Sequence, residues 1–63
     1  MRVTSLDEIE RRLLAALAHP RSAAATPELL FVREALRRGE IAEAALALET
    51  AEVILGIRTR VGA

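Results

Sequence analysis

The sequence predicts an all-α fold: a small three-helix bundle with an antiparallel helical hairpin and short extended termini. Three observations carry that prediction. Ala and Leu dominate a hydrophobic fraction of 52%, and both favour helix. Apolar residues recur at spacings of three and four. Helix starts and stops punctuate the chain at Ser5, Pro20, Thr26-Pro27, Gly39 and Gly56.

The first helix is expected over about residues 5–18. Ser5-Leu6-Asp7-Glu8 fits a capping box, with Ser5 as N-cap and Glu8 reaching back from the third helical position. Leu6, Ile9, Leu13, Ala16 and Leu17 form its apolar stripe, while Glu10, Arg11 and Arg12 take the other side. Pro20 ends the helix, because the residue before a proline avoids helical geometry, and His19 falls in the last turn. "PRSAAA" then makes a loop or a loosely helical connection.

The second helix is expected over about 26–38. Thr26 reads as its N-cap, Pro27 as its first helical residue and Glu28 as a first-turn acid. Leu29, Val32 and Leu36 make the stripe, flanked by Phe31 and Ala35. Arg33, Arg37 and Arg38 face outward, and Gly39 is the left-handed stop. The third helix, about 40–55, begins at Glu40, so the link forces a hairpin or a sharp angle. Gly56 closes it. Residues 1–4 and 57–61 alternate in a way that suits short strands or frayed ends.

At 100° per residue the third helix has two apolar sectors. Ile41, Ala44, Leu48, Ala51 and Leu55 form one. Leu46, Val53 and, more loosely, Ile54 form the other, with Glu49 and Glu52 on one side and Glu43 on the opposite flank. Either the helix lies across the other two and buries both sectors, or the second sector is an interface. The candidate interface is therefore Leu46, Val53, Ile54, Glu43 and Glu49. Glu40 to Glu52 holds four acids and no base, beside the arginines of the second helix. That contrast predicts cross-helix ion pairs of ~0–1 kcal/mol each, or an acidic ridge offered to a basic partner.

Length and composition exclude much else. The 63 residues make one domain, 1–63, and a domain of this size is marginal alone. It has no cysteine for disulfides, and His19, the one histidine, cannot build a zinc site. No cofactor is expected. A protein partner or a second copy of the chain is the remaining source of stability. Nine basic residues, all Arg, balance nine acidic ones, which disfavours a nucleic-acid partner. One Phe and no Trp or Tyr leave nothing for bases to stack on. No apolar run nears a membrane span, and no long apolar segment follows Arg2 as a signal peptide requires. The Ala-, Leu- and Arg-rich, Lys-free composition suggests a GC-rich bacterial genome and a cytoplasmic protein. Ser5, Ser22, His19 and Asp7 are the residue types of a catalytic triad, but capping and turn roles already account for them, and no enzyme is expected.

"ELLFVREALRRGE" resembles the core of the Maf-type immunity family of bacterial polymorphic toxin systems. The matching positions are Glu28, Phe31, Val32, Arg33, Glu34, Gly39, Glu40 and Ala44. Ile41 stands where that family often has an aromatic, and the chain is shorter and less acidic. The resemblance implies a cytoplasmic protein that binds and blocks a toxin domain. "RVTSLDE", a helix and "VREALRR" also resemble ribbon-helix-helix antitoxins and repressors, which would make Arg2 and Thr4 base-reading residues. A third reading needs no family: a small structural subunit that fills a groove in a larger assembly.

Overall fold

The computed structural model describes residues 5–58. Three α-helices follow in order: α1 (Leu6–Leu17), α2 (Thr26–Arg37) and α3 (Ile41–Leu55), with a 3-10 turn at Ser22–Ala25 between the first two. No strand occurs among the described residues. The expected arms at 1–4 and at 59–61 lie outside them.

Capping explains the helix ends. The Ser5 Oγ accepts a hydrogen bond of 3.1 Å from the Glu8 backbone N–H, the first half of the expected capping box. The α1 helix stops at Leu17, short of the expected boundary. The chain turns there through His19 N–H to Ala16 carbonyl and Ser22 N–H to His19 carbonyl bonds. His19 therefore lies beyond the helix, and its Nδ1 accepts from the Arg21 N–H.

Thr26 is not an N-cap. Its φ of −52° and ψ of −50° are already helical. Its hydroxyl donates to the Ala23 carbonyl instead of accepting from a helix N–H. The reason is the 3-10 turn, which runs straight into α2 and supplies carbonyl acceptors from upstream. Pro27 consequently sits second in the helix rather than first, where its missing N–H still costs no intrahelical bond.

The α2 and α3 helices end alike. Gly39 and Gly56 take φ values of 76° and 80°. At Gly39, the Glu40 N–H bonds to the Ala35 carbonyl and the Gly39 N–H to the Leu36 carbonyl. At Gly56, the Ile57 N–H bonds to the Glu52 carbonyl and the Gly56 N–H to the Val53 carbonyl. Both are Schellman motifs. The first folds α3 directly back onto α2, and the second turns Ile57 and Arg58 back onto α3 rather than into a strand.

The α3 helix packs most extensively against α2, then against α1, while α1 and α2 touch each other least. The Cα envelope is 26 × 26 × 16 Å. Its short dimension fits two helix layers, with α3 beneath the α1–α2 pair. The core between them comprises Ile9, Leu13, Ala16, Ala25, Leu29, Val32, Ala35, Ala44, Leu48, Ala51 and Leu55. Leu36, Ile41 and Ile54 pack partly against it. Five of those eleven buried residues are alanine, so the helices approach closely but bury little apolar area per residue.

Two stability effects follow. Leu48→Ala, at a fully buried site, is expected to lower the unfolding free energy by about 3 kcal/mol. Gly39→Ala is expected to cost about 1 kcal/mol for the left-handed backbone alone, since its added Cβ meets nothing within 4 Å, and Gly39→Asn less. Urea titration of the three variants against wild type checks both.

Candidate interaction surface

Among the described residues, Leu36, Ile41, Val53 and Ile54 are half-buried and the other large apolar side chains divide almost evenly between inside and outside. Six are buried: Ile9, Leu13, Leu29, Val32, Leu48 and Leu55. Seven are exposed by 43% or more: Leu6, Leu14 and Leu17 on α1, Leu30 and Phe31 on α2, Leu46 on α3, and Ile57 behind it. A compact monomer rarely leaves such a share of its largest apolar residues in water.

Of the three residues expected to form the exposed sector of α3, Leu46 alone stands clear, at 63% exposure. Val53 is half-buried. Ile54 packs against the core, which corrects the expectation that it extends the interface. At 100° per residue it lies nearer the α3 core face than Leu46 does. Glu43 and Glu49 are both exposed and flank Leu46, as expected.

Two shallow depressions mark the α1–α2 side. One, of about 340 Å³, is lined by Glu10, Leu13, Leu14, Arg33, Leu36 and Arg37. Every one of these residues comes from α1 or α2, so the groove opens away from α3. It exists because α1 and α2 touch each other least. The other, of about 490 Å³, is lined by Pro27, Leu30, Phe31, Arg33, Glu34 and Arg37. Arg33 and Arg37 border both, so Leu14, Leu30 and Phe31 form one continuous strip with the two arginines, edged by Glu10 and Glu34. Leu14 and Leu30 escape a sequence reading that follows one stripe per helix, and Phe31, expected to flank the α2 stripe, is exposed. The signal was available, since Leu30 and Phe31 sit beside Leu29 and cannot all share its face.

The charged contacts differ from expectation. Cross-helix ion pairs between the α2 arginines and the α3 acids do not form among the described residues. Arg37 and Arg38 pair instead with Glu34 on their own helix, at 3.5 and 3.4 Å. The cross-helix partner of α3 is Arg12 on α1, which the helical pattern assigns to the solvent side. Its Nε donates to Glu52 Oε2 at 2.9 Å and its Nη2 to Oε1 at 2.6 Å. Arg58 Nε adds a third bond to Oε1 at 3.0 Å. Outer acids complete the cluster, with Glu8 at 4.0 Å from Arg12 and Glu49 at 3.9 Å from Arg58.

The Glu52 side chain is only 6% exposed. Burial pushes its carboxyl upward, but the hydrogen bonds from Arg12 and Arg58 outweigh that and hold it below its ordinary value. The Glu52 hydrogen bond, opposed by burial, raises the Arg12 guanidinium. Among the described residues no buried side-chain polar atom lacks a partner. This cluster ties α1, α3 and the chain beyond Gly56 together.

Ser5 and Asp7 lie at one end of α1 and His19 beyond the other, separated by about 18 Å of helix. They form no common site. Among the described residues no group of three or more His, Cys, Asp or Glu could hold a metal, and no helix is long and apolar enough to cross a membrane. Comparison with protein-family models, curated proteins and solved structures finds no match to this chain.

Removing one member of the bidentate pair leaves the other partly desolvated. Glu52→Ala is expected to cost about 2 kcal/mol, less than a fully buried pair because Arg12 keeps some solvent access. Replacing both, as Arg12→Met with Glu52→Leu, is expected to recover most of that loss. Since folding lowers the Glu52 value, its contribution is complete above the ordinary glutamate value of 4.5 and fades as pH falls below it. Denaturant titrations of both variants at neutral pH and at acid pH check the cost, the recovery and a shallower acid dependence without Glu52.

Proposed function

We propose that the chain is a non-catalytic protein-binding module, and within that class a small toxin-neutralising protein of a bacterial cytoplasm. The observation that carries the reading is the seven large apolar side chains in solvent against six in the core. Burying that outer set against another protein supplies the apolar area that an alanine-rich core withholds.

The toxin-neutralising part rests on the resemblance of the α2–α3 hairpin to the Maf-type immunity family. Among the matching positions, Val32 fills the core, Gly39 makes the turn and Glu40 supplies the N–H of the Schellman motif. Phe31 and Arg33 are exposed, and Arg33 has no ion pair or hydrogen bond with another described residue. Those two are therefore the family-like positions on α2 free to meet a toxin domain. The ribbon-helix-helix reading depends on Arg2 and Thr4, which lie outside the described residues, and no structural observation favours it.

The test is coexpression with the product of each adjacent gene, scored by growth. One of those products is expected to arrest growth alone and to be neutralised, in a stable complex, by wild-type chain. Phe31→Glu combined with Leu46→Glu is expected to abolish neutralisation with the thermal midpoint held within a few degrees. A full set of adjacent products that neither arrest growth nor bind the chain contradicts the toxin reading. A complex that forms without any toxicity keeps the binding module and replaces toxin neutralisation with the structural-subunit role.

A further inference from the structure

We infer that copies of this chain associate head to tail, the outer ridge of α3 on one copy seating in the α1–α2 groove of the next. The inference rests on the reading of the chain as a binding module and names one occupant of its surface.

The two surfaces lie on opposite sides of the molecule. The groove is lined by α1 and α2 residues alone, so it faces away from α3. At 100° per residue, Leu46 points opposite to the α3 core residues Ala44, Leu48, Ala51 and Leu55. Each molecule thus presents a concave strip on one broad face and a convex ridge on the other.

The chemistry of the two is complementary. The strip has apolar walls at Leu14 and Leu30, basic side chains at Arg33 and Arg37, and acidic ones at Glu10 and at Glu34, the latter already paired with Arg37 and Arg38. The ridge has Leu46 at its centre, with Glu43 one turn before it and Thr50 one turn after. No base occurs between Glu40 and Leu55. Arg33 and Glu43 have no ion-pair partner among the described residues, so a partner can claim both without breaking an existing pair. Arg37 is committed only to an exposed bridge to Glu34 at 3.5 Å, which is weak.

Arg33 at the groove and Glu43 on the ridge, both unpaired among the described residues, stand on one chain, and α3 carries three acids and no base, so a second copy supplies both halves of the contact. A chain's own α3 already packs against the inner side of α1 and α2, and a second α3 would meet their outer side. A contact between different patches is heterologous, so it builds a ring or an open chain rather than a two-fold dimer.

Sedimentation of the full chain across micromolar to millimolar concentration tests this, with two charge variants and one apolar variant. Wild type is expected to show a mass average rising with concentration. Leu46→Glu, Arg33→Glu and Glu43→Arg are each expected to weaken association about tenfold or more, with helicity and thermal midpoint tracking folding. An equimolar mixture of Arg33→Glu with Glu43→Arg is expected to restore association, since each groove then meets a ridge of opposite sign. Wild type that stays monomeric throughout overturns the inference, as do charge variants that associate like wild type or a mixture that restores nothing. Monomeric wild type that still forms a complex with an adjacent gene product overturns self-association alone and leaves the binding module standing.

Discussion

Alanine at the helix contacts is the constraint on which the rest of the molecule depends. Ala44 and Ala51 on α3 meet Ala16 on α1 and Ala35 on α2 within one buried cluster. Small side chains there let three short helices and a 3-10 turn close around Ile9, Val32 and Leu48, the largest fully buried residues. The same choice limits how much apolar area the chain can remove from water, since an alanine buries little. Leu6, Leu14, Leu17, Leu30 and Leu46 are left on the surface. The sparse contact of α1 with α2 is part of the same geometry, and it leaves the groove beside Leu13 and Leu36.

A thin core needs other restraints, and the chain has three. Two Schellman turns fix where α2 and α3 stop. The third restraint is Glu52, whose carboxylate accepts from Arg12 across the bundle and from Arg58 beyond the last helix. A buried carboxylate with two guanidinium partners contributes little net stability compared with an apolar replacement. Its bonds join α1, α3 and the chain beyond Gly56 at one point. The cluster thus fixes α1 on α3.

The helices and their stops were legible in the sequence because they depend on neighbours three or four residues away. Ser5, Gly39 and Gly56 act where local chemistry places them. Thr26 misled because a cap depends on the segment before it, and "SAAA" coils into a 3-10 turn that takes over the capping. The Arg12–Glu52 pair was not legible, since its members stand forty residues apart and meet only once α1 lies on α3. For the surface, Leu46 with Glu43 and Glu49 could be read from rotation about one helix. Ile54 lies at the edge between the two sectors, and it packs partly against the core. The strip around Arg33 was hidden for a different reason: it belongs to two helices, and no single-helix pattern contains it.

The central claim is that this chain is completed by burying its outer apolar surface against a second protein, which we propose to be a second copy. Its most direct test is the thermal unfolding midpoint of pure protein as a function of concentration. Coupling of association to folding makes the midpoint rise as concentration increases. A midpoint that stays constant over the same range, with the protein folded and reversible throughout, contradicts the claim.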